Sequence, residues 1–152
     1  MRRKHMTATH LDHTKAFAAH VIRELASCGP GKQATVIGLY GELGAGKTTF
    51  TKEAALLLGV RRTVSSPTFV LERIYTLSPK YTFSKLIHID AYRLKDGTEL
   101  AHLGWAELLA DPKNLIFIEW PEKVMDVMPV RHIGIFFTHK GENERTIELR
   151  RV

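Results

Sequence analysis

The strongest chemical signal lies in eight consecutive residues. Gly41, Glu42, Leu43, Gly44, Ala45, Gly46, Lys47 and Thr48 satisfy the pattern G-x-x-x-x-G-K-[ST] at every fixed position. Glycines let a backbone curl until its N–H groups converge on phosphate oxygens. A helix that starts at the end of the loop adds the positive end of its dipole to the same anion. Lys47 supplies a mobile charge for the β- and γ-phosphates and is expected to face solvent, and the Thr48 hydroxyl can ligate Mg²⁺. At ordinary residue frequencies a random chain of this length shows the pattern about once in two hundred, so chance is a poor rival.

Phosphate chemistry of this type also needs an acid at a neighbouring strand end, to hold the metal or place the attacking group. Two apolar runs end in one. Leu86-Ile87-His88-Ile89 leads to Asp90, and Leu115-Ile116-Phe117-Ile118 leads to Glu119. Spacing alone leaves open which of the two touches the metal.

The loop can act only if a strand delivers it and a helix leaves it. Residues 34–40 read as a buried strand, and residues 47–58 as a helix stopped by Gly59. Apolar side chains recur at helical spacing from Phe17 to Ala26, which predicts a helix over 11–28 ended by Gly29-Pro30-Gly31. Strand patterns recur at 69–76, 86–92, 115–120, 133–138 and 146–149. Residues 98–110 read as a helix, 121–125 as a short one begun by Pro121, and 141–144 as a hairpin turn. Together these predict a three-layer α/β domain of the P-loop NTPase type. Its mixed sheet is expected to be parallel around the loop and antiparallel at one edge. The whole of 1–152 reads as one domain, with 1–10 as a flexible basic extension.

Composition narrows the class further. The 152 residues carry 44% hydrophobic and 25% charged side chains, which excludes disorder as a description of the whole chain. No apolar run approaches the length needed to span a bilayer, and the basic start is followed by polar residues rather than an apolar leader segment, so a cytoplasmic protein is expected. With 22 basic against 16 acidic residues the net charge is +6, which suits acidic partners only weakly because the charges are scattered. Cys28 is the single cysteine, so an internal disulfide is excluded, and it reads as a small, semi-buried side chain. Trp105 reads as core, and Trp120 as divided between packing and a nucleotide contact.

Four segments in this order, GELGAGKTT at 41–49, SPTF at 66–69, HIDAYRL at 88–94 and IEWPE at 118–122, resemble the TsaE (YjeE) family. These are small bacterial P-loop ATPases required to make threonylcarbamoyladenosine in tRNA. The resemblance runs from about Thr14 to Leu149. It departs at Glu42, where the family often has aspartate. It implies ATP and Mg²⁺ as cofactors, with residues 41–48 and Thr49 around the nucleotide and Lys47 on the phosphates. Thr48 and Glu119 would hold the metal, and Asp90 would contact it through water or orient the attacking water. Thr68 would sense the γ-phosphate, Trp120 would lie near the nucleotide, and Thr14 near the adenine. It also implies weak ATP hydrolysis that resets a complex of TsaB and TsaD. That complex performs the transfer, so tRNA is met only indirectly.

Three other functions use a similar loop. A small-molecule kinase needs a lid, and residues 95–112 are too short for much more than one helix. A GTPase needs N-K-x-D and D-x-x-G, and neither occurs in the sequence. A plain binding module would keep nucleotide without turning it over.

Overall fold

The computed structural model of the chain describes residues 4–8, 11–61, 71–140 and 144–152. In chain order the elements are β1 (Lys4–Ala8), α1 (Leu11–Cys28), β2 (Thr35–Tyr40), α2 (Lys47–Leu57), β3 (Glu72–Thr76), β4 (Lys85–Asp90), α3 (Thr98–Ala101), α4 (Trp105–Ala110), β5 (Asn114–Glu119), a 3-10 turn (Pro121–Lys123), β6 (Ile133–His139) and β7 (Arg145–Arg151). The strands form one seven-stranded sheet in the order β1-β7-β6-β2-β5-β4-β3. Its centre is parallel: β2 pairs with β5 and β6, and β4 with β5.

The period-two alternation of each strand sorts its side chains between two cores. Leu115 and Phe117 of β5 pack with Phe17 and Val21 of α1 and Phe50 and Ala54 of α2. Ile116 and Ile118 go to the opposite face, with Leu100, Trp105 and Val124. Both faces are covered, which is why β4 and β5 read as continuous apolar runs rather than alternating ones. The three-layer α/β expectation therefore holds, and Trp105 is core, its indole N–H donating to the Val127 carbonyl at 3.0 Å. Phe50 fixes where α2 begins. Its ring is 6.1 Å from Phe17, 5.8 Å from Phe117 and 6.0 Å from Phe137. Truncating such a side chain costs about 3–5 kcal/mol, and here it would also loosen the turn that carries Lys47.

Several expectations change. The sheet is antiparallel at both edges: β3 runs against β4, and β7 against β6 and β1. Part of the expected flexible extension is strand β1, which pairs Lys4–Ala8 with Arg145–Leu149. Without it the outer edge of β7 would be a row of unpaired backbone groups. The helix expected at 98–110 is two, broken where Gly104 takes a φ of 71°. The helix expected at 121–125 is only a 3-10 turn. Cys28 is exposed, not semi-buried. The strand expected from 69 is described from Glu72, and Phe69 and Val70 lie outside the described residues.

Candidate functional site

The loop between β2 and α2 is shaped by glycines for a specific reason. Gly41 has a φ of 144°, and a Cβ there would lie 2.6 Å from the Phe137 carbonyl oxygen of the neighbouring strand. Gly46, the residue before α2, has a φ of 107° and offers no side-chain cap, so the first N–H groups of the helix keep no side-chain partner there. That is the arrangement an anion at a helix N-terminus uses.

Lys47 does not face solvent as expected; only 4% of it is exposed. Its ammonium donates to the carbonyls of Gly41 at 2.5 Å and Glu42 at 2.9 Å, and lies 4.0 Å from the centre of the Trp120 ring. The loop curls so tightly that its own carbonyls come within reach of the three ammonium donors. Burial lowers the lysine pKa, while the carboxylates of Glu119, Glu122 and Asp90 pull it back up.

The two acids converge on this lysine. Asp90 and Glu119 end adjacent parallel strands as direct partners, 4% and 3% exposed. With Leu86 and Leu115 on the α2 side, alternation sends His88, Asp90 and Glu119 to the same face. Glu119 Oε1 accepts the Thr48 hydroxyl at 2.9 Å and His88 Nε2 at 2.8 Å. Asp90 Oδ1 accepts the backbone N–H of Tyr92 at 3.0 Å. Trp120, directly after Glu119, has a φ of 59° and a ψ of 47°. A bulky residue in that left-handed region costs about 1–3 kcal/mol. Here it turns the indole over Lys47 and against Tyr92, whose ring centre is 5.1 Å away.

These groups surround a cavity of about 210 Å³ lined by Leu43, Gly44, Ala45, Gly46, Lys47, Thr48, Thr49, Asp90, Tyr92, Glu119 and Trp120. All but Tyr92 were expected from sequence. Gly41 and Glu42 act through their carbonyls on Lys47. Thr14 is buried and does not line the cavity. Thr68 lies outside the described residues. A larger cavity, about 590 Å³, sits at the end of α1 beside Arg131 and Arg151, and among the described residues no acid lines it.

Sequence reasoning missed three residues. His88 was read only as part of an apolar strand. Tyr92 was read as the end of a strand. Arg145 begins β7, and its guanidinium lies 3.0 Å from where a Cβ on Gly46 would be, an approach that only the sheet order creates.

The donors suit a hard divalent cation. Thr48 and Glu119 offer oxygen ligands within a hydrogen bond of each other, and Mg²⁺ takes one or two protein oxygens beside phosphates and water. Among the described residues no cluster of three or more His, Cys, Asp or Glu could hold a metal.

The model of the family described as "Threonylcarbamoyl adenosine biosynthesis protein TsaE" matches residues 8–147. The tRNA threonylcarbamoyladenosine biosynthesis protein TsaE of Bacillus subtilis is 36% identical over 118 residues, 76% of this chain and 69% of that one. Its counterpart in Borreliella burgdorferi is 36% identical over 112 residues, covering 73% and 77%. A crystal structure of Bacillus subtilis YdiB superposes with a TM-score of 0.75 at 28% identity, over 97% of this chain and 84% of that one.

Proposed function

The chain belongs to the TsaE family and takes part in tRNA threonylcarbamoyladenosine biosynthesis, and from that premise we propose that it binds ATP with Mg²⁺ at residues 41–48 and hydrolyses it slowly. The hydrolysis serves a partner complex of TsaB and TsaD, which carries out the threonylcarbamoyl transfer, so tRNA is met through that complex. The observation that carries the reading is the 2.9 Å bond between Thr48 Oγ1 and Glu119 Oε1. It brings the hydroxyl of the phosphate loop and a strand-end acid to one point.

Each residue then has a physical task. The N–H groups of the loop and of the first turn of α2 bind the phosphates. Lys47 leaves the carbonyls of Gly41 and Glu42 and gives its charge to the β/γ oxygens. Thr48 and Glu119 hold Mg²⁺, which when bound neutralises charge developing on those oxygens. Asp90 orients the attacking water. Trp120 and Tyr92 wall the site and keep other water out.

The described residues do not favour a kinase. The two short helices at 98–110 put Leu100 and Trp105 into the core rather than over the loop. No described helix is long and apolar enough to cross a membrane, and a cytoplasmic setting goes with the proposed work on tRNA. Calorimetric titration with ATP and GTP, each with Mg²⁺ and with a chelator, tests the reading. Tighter ATP binding that depends on Mg²⁺ supports it, and tighter GTP binding overturns it.

A further inference from the structure

His88 is fully buried in the middle of the sheet, and the roles above do not use it. Its Nε2 lies 2.8 Å from Glu119 Oε1, the same oxygen that takes the Thr48 hydroxyl. A carboxylate can only accept, so Nε2 carries the proton and donates. The other ring nitrogen, Nδ1, is buried without a hydrogen-bond partner among the described residues. A buried, unpartnered nitrogen costs stability, and the neighbouring positions in β4 are filled by Leu86, Ile87 and Ile89. Packing alone would therefore favour an aliphatic side chain at 88. What a histidine adds is the bond from Nε2.

We propose that His88 is a positioning residue for the metal acid: it clamps the Glu119 carboxylate from the core side, so that the group keeps one orientation toward Thr48 and an incoming Mg²⁺. Glu119 ends β5, where the chain turns abruptly into the left-handed conformation of Trp120. Its side chain has rotamers that would aim the carboxylate away from Thr48, and the bond from β4 selects among them. The inference rests on the Mg²⁺·ATP reading and names a residue that supports the metal without touching it. Groups that orient a metal ligand in this way are typically worth about 10–100-fold in metal affinity.

The test compares wild type, His88→Leu, His88→Gln and His88→Asn by calorimetry, titrating ATP at a series of Mg²⁺ concentrations and in chelator. A glutamine amide nitrogen reaches the place of Nε2, whereas that of asparagine reaches only the place of Nδ1. The Mg²⁺ concentration that supports half-maximal ATP binding should rise about 10–100-fold in His88→Leu and His88→Asn and recover most of the way in His88→Gln. ATP binding in chelator should stay within about twofold of wild type in all four proteins, which a general loss of structure would not allow. If His88→Leu fails to fold, the contrast between glutamine and asparagine decides. Equal Mg²⁺ dependence in wild type and His88→Leu, or no difference between glutamine and asparagine, overturns the positioning role. Wild type that binds ATP without regard to Mg²⁺ overturns the nucleotide reading itself.

Discussion

Asp90 and Glu119 are direct partners in the parallel pairing of β4 and β5, both buried and both on the face where α2 begins. Glu119 takes the Thr48 hydroxyl at 2.9 Å. Under the proposed Mg²⁺·ATP reading the two acids would take different tasks, Glu119 at the metal beside Thr48 and Asp90 a strand away, orienting water.

Glu119→Ala should weaken the Mg²⁺-dependent part of ATP affinity. Asp90→Ala should lower turnover by about 10²-fold or more while changing affinity little, as expected of a group acting mainly in the transition state. Binding and steady-state rates measured on both variants decide it. A loss of Mg²⁺ dependence in Asp90→Ala with Glu119→Ala spared would show the two roles exchanged.

Lys47 should make nucleotide affinity sensitive to alkaline pH. Burial lowers its pKa from the ordinary 10.5. The charged form binds phosphate, so affinity is full below the lowered pKa and falls as pH rises through it. ATP titrations at increasing pH should show affinity already below half of its full value at pH 10.5. Affinity that holds constant up to that pH would contradict the buried lysine. Lys47→Arg, whose guanidinium stays charged, should flatten the profile.

Trp120 should report binding. Its ring carries the Lys47 ammonium at 4.0 Å, and that ammonium must leave to reach a phosphate. Tryptophan fluorescence should therefore change on adding ATP with Mg²⁺, and the change should vanish in Trp120→Phe, which retains the core Trp105. A signal that survives this substitution would place the reporter at Trp105 and the lysine movement in doubt.

The phosphate loop and both acids were legible in sequence because each is a local pattern: a run of eight residues, and two apolar strands each closed by a carboxylate. The central sheet followed from the same apolar runs. What sequence did not disclose depends on pairing between distant segments. Arg145 meets Gly46 only because the β6–β7 hairpin lies beside β2. His88 acquires meaning only when β4 and β5 are in register. β1 has no apolar alternation to announce it; the open edge of β7 recruits it. The burial of Lys47 was missed because the pattern specifies a phosphate ligand and says nothing of the carbonyls beneath it.

Glu72 should be a site of latent instability. Burial raises its pKa above the ordinary 4.5, and among the described residues Oε2 has no hydrogen-bond partner. For a carboxyl shifted upward, the stabilising protonated form is held at low pH and lost as pH rises through the folded pKa. Glu72→Gln should therefore raise stability at neutral pH by about 1 kcal/mol, or ~2–4 °C in Tm, with the gain disappearing in acid. Thermal melts of both proteins across the acidic range check it, and a glutamine variant that melts lower at pH 7 counts against the assignment.

Lys47 and its loop are proposed to turn over ATP for a partner complex. Phosphate release from ATP by wild type and Lys47→Ala, each alone and with TsaB and TsaD, tests it most directly. Wild type should release phosphate slowly, and faster with the pair, and Lys47→Ala should lose about 10²–10³-fold under both conditions, with its circular dichroism unchanged. A Lys47→Ala protein that keeps more than about half of the wild-type rate, or wild type that releases no phosphate even with the pair present, would contradict it.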